Sequence, residues 1–140
     1  MRANELMIHN YVSFEGHPVC ITKIGLTGIE GYLYKNDTLY DVKLKYEDIE
    51  PIPITEKLLM KNGFEFRALF YYEDIHDTAC RYEKVKTNGS SILIRKPMVS
   101  EDGSTIWEME NVRIKLDYVH QLQNLCNIAG LDIGIDIDKI

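Results

Sequence analysis

The sequence predicts an α+β fold: a small N-terminal SH3-like curled sheet or barrel, then antiparallel strands with two short helices. Three observations carry this expectation. Residues 1–50 form a string of short β-branched segments separated by tight-turn residues. A connector with two prolines, 49–54, leads into a short helix that has its own start and stop signals. A second, amphipathic helix stands near the C-terminus, and strands fill the interval between the helices.

Along the chain, segments 11–14 and 19–24 are strands turned by Glu15-Gly16-His17-Pro18. Alternation in 19–24 sets Val19, Ile21 and Lys23 on one side, with Cys20, Thr22 and Ile24 on the other. Past Gly25 and Gly28, strands at 30–34 and 39–44 are joined by Lys35-Asn36-Asp37-Thr38, a good turn sequence. Pro51 and Pro53 fix φ and keep 49–54 extended. A two-turn helix is expected over 55–62. Thr55 serves as N-cap, Glu56 sits where the helix dipole favours a carboxylate, and Gly63 is suited to C′. Leu58, Leu59 and Asn62 share one side of it. The aromatic-rich 64–72 reads as a strand. Segments 80–86 and 91–95 read as a hairpin about Asn88-Gly89. A second pair is expected at 105–109 and 112–116. The last helix begins at Tyr118, capped by Asp117 and stopped by Gly130. Segment 131–137 alternates Leu131, Ile133, Ile135 and Ile137 with Asp132, Gly134 and Asp136, the pattern of a half-buried strand. The expected division is a β subdomain, 1–52, and an α+β subdomain, 53–140, which together can make one compact domain.

Composition narrows the function classes. A net charge of −6 over 140 residues works against broad nucleic-acid binding, which needs a basic footprint. No apolar run is long enough for a signal peptide or a membrane span, so a cytoplasmic protein is expected. Cys20, Cys80 and Cys126 are an odd, widely spaced set, which reads as reduced thiols.

Two segments attract a functional reading. Placed at about 100° per residue, the last helix gathers Tyr118, Val119, Leu122, Leu125, Cys126, Ile128 and Ala129 on one half of its wheel. The other half holds His120, Gln121, Gln123, Asn124 and Asn127, a polar face without charge. Amides donate and accept hydrogen bonds. Such a face suits an interface or a ligand wall, and it equally suits bonding to the chain's own loops. The second segment is 81–96. Its Arg81, Lys84, Lys86, Arg95 and Lys96 stand against the single acid Glu83 in an otherwise acidic chain. With Tyr82 they are expected to bind a phosphate-bearing small molecule or a nucleic-acid backbone or, on the plainer reading, to solubilise a hairpin.

Other chemistries find less support. Glu73, Asp74, His76, Asp77 and Cys80 lie close together, but zinc needs about four ligands in a recurring pattern, and an acidic turn explains them. Asp132, Asp136 and Asp138 lack the order of a calcium loop. No nucleophile elbow, phosphate-binding loop or zinc-protease motif occurs. No metal, cofactor or catalytic residue is expected.

Three segments together carry a resemblance: MRANEL at 1–6, DIEPIPITEKLLMKNGFE at 48–65 and YVHQLQNL at 118–125. In order and spacing they resemble a family of small uncharacterised proteins from Bacteroides phages, prophages and other mobile elements. The resemblance touches both ends and the middle, and 71–110 match no part of it. Met7-Ile8-His9-Asn10 departs from the Arg-Ile-Gly-Asn-like string usual there. The resemblance implies a phage or mobile-element origin and a bacterial cytoplasm, with no activity to carry over. The expected function is therefore a non-enzymatic accessory protein that binds a host protein or a small, nucleotide-like signal, as a host-defence antagonist would. The alternatives are a protein-interaction module without a small ligand, and a hydrolase. Homo-oligomerisation is expected through 131–137 pairing across a two-fold axis.

Overall fold

The computed structural model describes residues 1, 3–73, 77–85, 89–97, 107–109 and 114–140. It is α+β, with two antiparallel sheets and two α-helices among these residues. The chain divides into two compact units, one built from Met1–Pro53 with Tyr118–Ile140 and the other from Ile54–Asp117. The sequence-based division meets this one near residue 53 but differs at the C-terminus, where Tyr118–Ile140 groups with the N-terminal sheet. The physical reason is that side chains of the last helix bond the N-terminal segment.

The first unit is a meander of four strands: β1 (Tyr11–Phe14), β2 (His17–Ile24), β3 (Gly28–Lys35) and β4 (Thr38–Lys45), paired in that order. Two-residue loops close two of its hairpins, at Glu15-Gly16 and Asn36-Asp37. All four loop residues have positive φ, between 49° and 81°. That is the type I′ geometry whose twist matches paired strands. Leu6, Val12, Val19, Ile21, Ile29 and Ile49 form the core, with Phe14, Leu33, Val42 and Leu44 packed against it. Each fully buried aliphatic side chain contributes about 1.5–3 kcal/mol relative to exposure.

The alternation expected in β2 fails at one point. A bulge at Thr22 lets Ile21 oppose Gly31 while Lys23 opposes Glu30. The extra residue reverses the facing of the residues after it. Lys23 therefore leaves the core side and meets the Glu30 carboxylate at 3.5 Å, and Ile24 turns toward the core. An unpaired lysine in the core would be costly, and the bulge avoids it.

The connector behaves as a stiff extended segment. Ser13 and Glu50 exchange two backbone hydrogen bonds of 2.8 Å, and Val119 N–H donates to the Ile52 carbonyl at 2.8 Å. The final helix, Val119–Ile128, has Tyr118 rather than Asp117 at its N-cap, and the Gln121 amide oxygen accepts from Tyr118 N–H at 3.0 Å. Segment 131–137 joins neither sheet. Ile133 and Ile135 are buried and Asp136 is exposed, so the alternation holds while the ladder does not form. Gly134 has φ 66° and its N–H bonds the Asp132 carboxylate at 2.9 Å, a local turn that breaks the extended run. Without a strand there, the expected pairing of 131–137 across a two-fold axis has no ladder to build on.

The second unit opens with helix α1 (Glu56–Lys61); the final helix is α2. Thr55 caps α1, its hydroxyl accepting from Leu58 N–H at 3.1 Å, and Gly63 ends it at φ 89°. Leu58, Leu59 and Asn62 are all buried, as their spacing predicts. Five strands follow in sequential antiparallel order: β5 (Glu65–Tyr72), β6 (Asp77–Val85), β7 (Ser91–Pro97), β8 (Trp107–Met109) and β9 (Lys115–Leu116). Tyr82, Ile92, Ile94, Trp107, Met109 and Leu116 fill its core. No described helix is long and apolar enough to cross a membrane.

Candidate functional site

The basic hairpin divides when its side chains are followed. Tyr82 is a core residue, packed by Trp107 at 5.4 Å and Phe66 at 5.6 Å between ring centroids. Burial, with the Glu56 carboxylate second, pushes its hydroxyl up to about 12. Arg95 is 2% exposed and grips Glu108, with Nε at 3.0 Å and Nη2 at 2.9 Å from the same oxygen. Lys84 Nζ stands 6.0 Å from the Phe64 ring centroid and Lys96 Nζ 5.7 Å from that of Trp107, within cation–π range. Arg81 lies opposite Arg95 on the neighbouring strand and is half-buried. Lys86 lies outside the described residues, as do Asp74 and His76 of the acidic turn. The structure thus makes Tyr82 and Arg95 part of the unit's interior.

The amide face of α2 is used inside the first unit. Gln123 accepts from Tyr11 N–H at 2.8 Å and donates to the His9 carbonyl at 3.1 Å. Asn124 accepts from the Asn10 amide at 2.8 Å and donates to the Glu5 carbonyl at 3.1 Å. Gln121 bonds its own helix start. His120 is buried rather than polar-face, its ring stacked on that of Tyr118 at 5.8 Å. Burial lowers its pKa, and the Glu5 carboxylate pulls the other way. Of the five residues, Asn127 is the exposed one, and its side chain bonds none of the described residues.

Asn127 opens onto a cavity of about 540 Å³ beside this network. One wall is α2, through Gln123, Asn124 and Asn127. The second is the loop Met7, Ile8, His9 and Asn10, and the third is Gly130, Leu131, Asp132 and Ile133. The sequence offered little to single out the second wall. Its one trace is Asn10, whose carboxamide accepts from Met7 N–H at 2.8 Å and closes the turn. The loop is anchored: His9 N–H donates to the Ile21 carbonyl at 2.7 Å, and Ile21 N–H donates to the Asn10 carbonyl at 2.9 Å. His9 has φ 75°, a left-handed conformation held by those bonds.

Asp132 stands on the cavity's rim, and among the described residues neither lysine nor arginine lines it. Tyr11 lies nearby, bonded to Gln123 through its N–H. Burial raises its hydroxyl to about 12, with Cys20, Asp136, Asp132 and Asp138 adding to the rise. The described lining is rich in amides and suits a hydrogen-bonding guest.

In comparison with protein-family models, curated proteins and solved structures, the chain matches none.

Proposed function

We propose that this protein is a non-enzymatic accessory protein of a phage or mobile element, acting by binding in the cytoplasm of its bacterial host. The origin rests on the three sequence segments that resemble mobile-element proteins. In this reading the first unit is an SH3-like curled sheet, supported by its four-stranded meander and the bulge at Thr22. Its cavity holds a small uncharged ligand rich in hydrogen-bond groups, such as a nucleoside or a sugar. A host-defence antagonist that sequesters such a signal fits this chemistry.

The observation that carries the reading is the cavity itself. It has on one wall an Asn127 carboxamide that bonds none of the described residues, and anchored backbone on the other. A preorganised site loses little ordering entropy on binding. A nucleotide signal held by its phosphates would instead use Arg81, Lys84 and Lys96 of the second unit, since Tyr82 and Arg95 are interior.

Thermal-shift titration with a panel of nucleosides, sugars and nucleotides tests the proposal, because a ligand that binds only the folded state raises Tm. An uncharged panel member should raise Tm, and Asn127→Ala should weaken its binding by about three- to tenfold, the loss of one neutral hydrogen bond. The paired change Lys84→Ala with Lys96→Ala should leave that binding intact. No shift from any uncharged compound, or no effect of Asn127→Ala, removes the proposal.

A further inference from the structure

The first sheet has two edges, and the chain treats them differently. In a type I′ hairpin the residues flanking the loop form a hydrogen-bonded pair, and bonded and non-bonded pairs alternate from there. Phe14 with His17 and Lys35 with Thr38 are those flanking pairs. Counting back, Tyr11 and Ser13 of β1 direct their N–H and C=O away from β2. Counting forward, Leu39, Asp41, Lys43 and Lys45 of β4 direct theirs away from β3. The close approach of the Leu44 carbonyl to Gly28 agrees, since a Cβ on Gly28 would lie 2.0 Å from that oxygen. The intervening residues of β4 therefore point at β3.

On β1 three of the four outward groups are occupied by the same chain. Tyr11 N–H bonds Gln123, and Ser13 exchanges its pair of bonds with Glu50. On β4 the outward backbone groups of Leu39, Asp41, Lys43 and Lys45 have no partner among the described residues. This open edge is eight residues long and carries Leu39 and Tyr40, 54% and 47% exposed. Long exposed edges of this kind pair with other strands unless something blocks them.

We infer that β4 pairs antiparallel with β4 of a second copy of this chain, about a two-fold axis at Val42. Charge selects the register. Residues directly opposite must share a face, so the axis falls on a residue. An axis at Asp41 would set two aspartates against each other, and one at Lys43 two lysines. An axis at Val42 sets Asp41 of each copy opposite Lys43 of the other, twice by symmetry, at positions whose backbone groups point outward. Tyr40 then meets Leu44 on the opposite face. The receiving surface already has cationic excess, because Glu30 is shared between Lys23 at 3.5 Å and Lys43 at 3.2 Å. Asp41 of the second copy supplies the missing carboxylate. The interface is isologous and closes after two copies.

Sedimentation equilibrium of the full chain across a wide concentration range tests this. The wild type is expected to be a dimer in reversible equilibrium with monomer. Asp41→Lys should weaken the dimer at least about tenfold, since it converts two attractive cross-strand pairs into repulsive ones. Asp41→Lys combined with Lys43→Asp should restore it. Lys43→Pro removes an outward N–H while leaving the β3 ladder whole, and should give a folded monomer by circular dichroism. A wild type that stays monomeric overturns the inference. So does a dimer indifferent to Asp41→Lys or Lys43→Pro, and a charge-swapped pair that does not reassociate overturns the Val42 register.

Discussion

Arg95 and His120 show how a side chain's meaning depends on what surrounds it. Arg95 sits in a run of basic residues, yet it is buried against Glu108 at 2.9 Å. Removing one member of a buried pair strands the other charge, which costs about 3–5 kcal/mol, whereas replacing both with apolar residues is often near neutral. Arg95→Met should therefore destabilise the protein by that order in urea unfolding, and Arg95→Met with Glu108→Leu should recover most of the loss. His120 gives a pH dependence. Its folded pKa lies below the ordinary 6.5 because it is buried. On acidification the unfolded chain takes up that proton first. The contribution to stability is whole above the unfolded pKa and is lost as pH falls through the folded one. Denaturant midpoints measured above and below that window should fall on acidification less steeply in His120→Leu than in the wild type. Equal slopes would show that another group titrates.

Among the elements, α2 is a clamp on the N-terminal segment. Gln123 and Asn124 satisfy two backbone carbonyls, one backbone N–H and the Asn10 amide. Gln123→Ala should cost about 1–3 kcal/mol, because it leaves the Tyr11 N–H and the His9 carbonyl without partners. Amide hydrogen exchange at Tyr11 should accelerate while that of β3 is spared. Helix α1 belongs to the second unit and α2 to the first. The α1 helix was legible in full, from Thr55 to Gly63, because caps act within one turn of chain. The strand expected at 131–137 was not, because alternation reports burial and a strand also needs a neighbour with free backbone groups. The Thr22 bulge was hidden for a related reason: it depends on what lies across from Lys23.

In the molecule as a whole, the second unit is a continuous insertion, Ile54–Asp117, in a first unit whose two pieces flank it. Its ends are adjacent. Ile54 N–H donates to the Asp117 carbonyl at 3.1 Å, and Pro53 bridges Tyr118. Replacing 54–117 by an Asn-Gly turn should leave a first unit that unfolds cooperatively on heating, since short closures carry little entropic cost. A non-cooperative melt would refute that independence.

The α+β class, the strands of the first sheet with their turns, the capped α1 and the position of α2 can all be read from the chain alone. They are written in periodicity and in residues that act on their nearest neighbours. The candidate site was half legible. The amide face of α2 stood out because it lacks charge, but the groups those amides bond lie more than a hundred positions away in the chain. Folding settled that Gln123 and Asn124 look inward and Asn127 outward. It placed Tyr82 and Arg95 in the second unit's interior, and among the described residues it left the outer edge of β4 unpaired. Hydrogen bonds and burial belong to pairs of groups, and the pairs are made when the chain closes on itself.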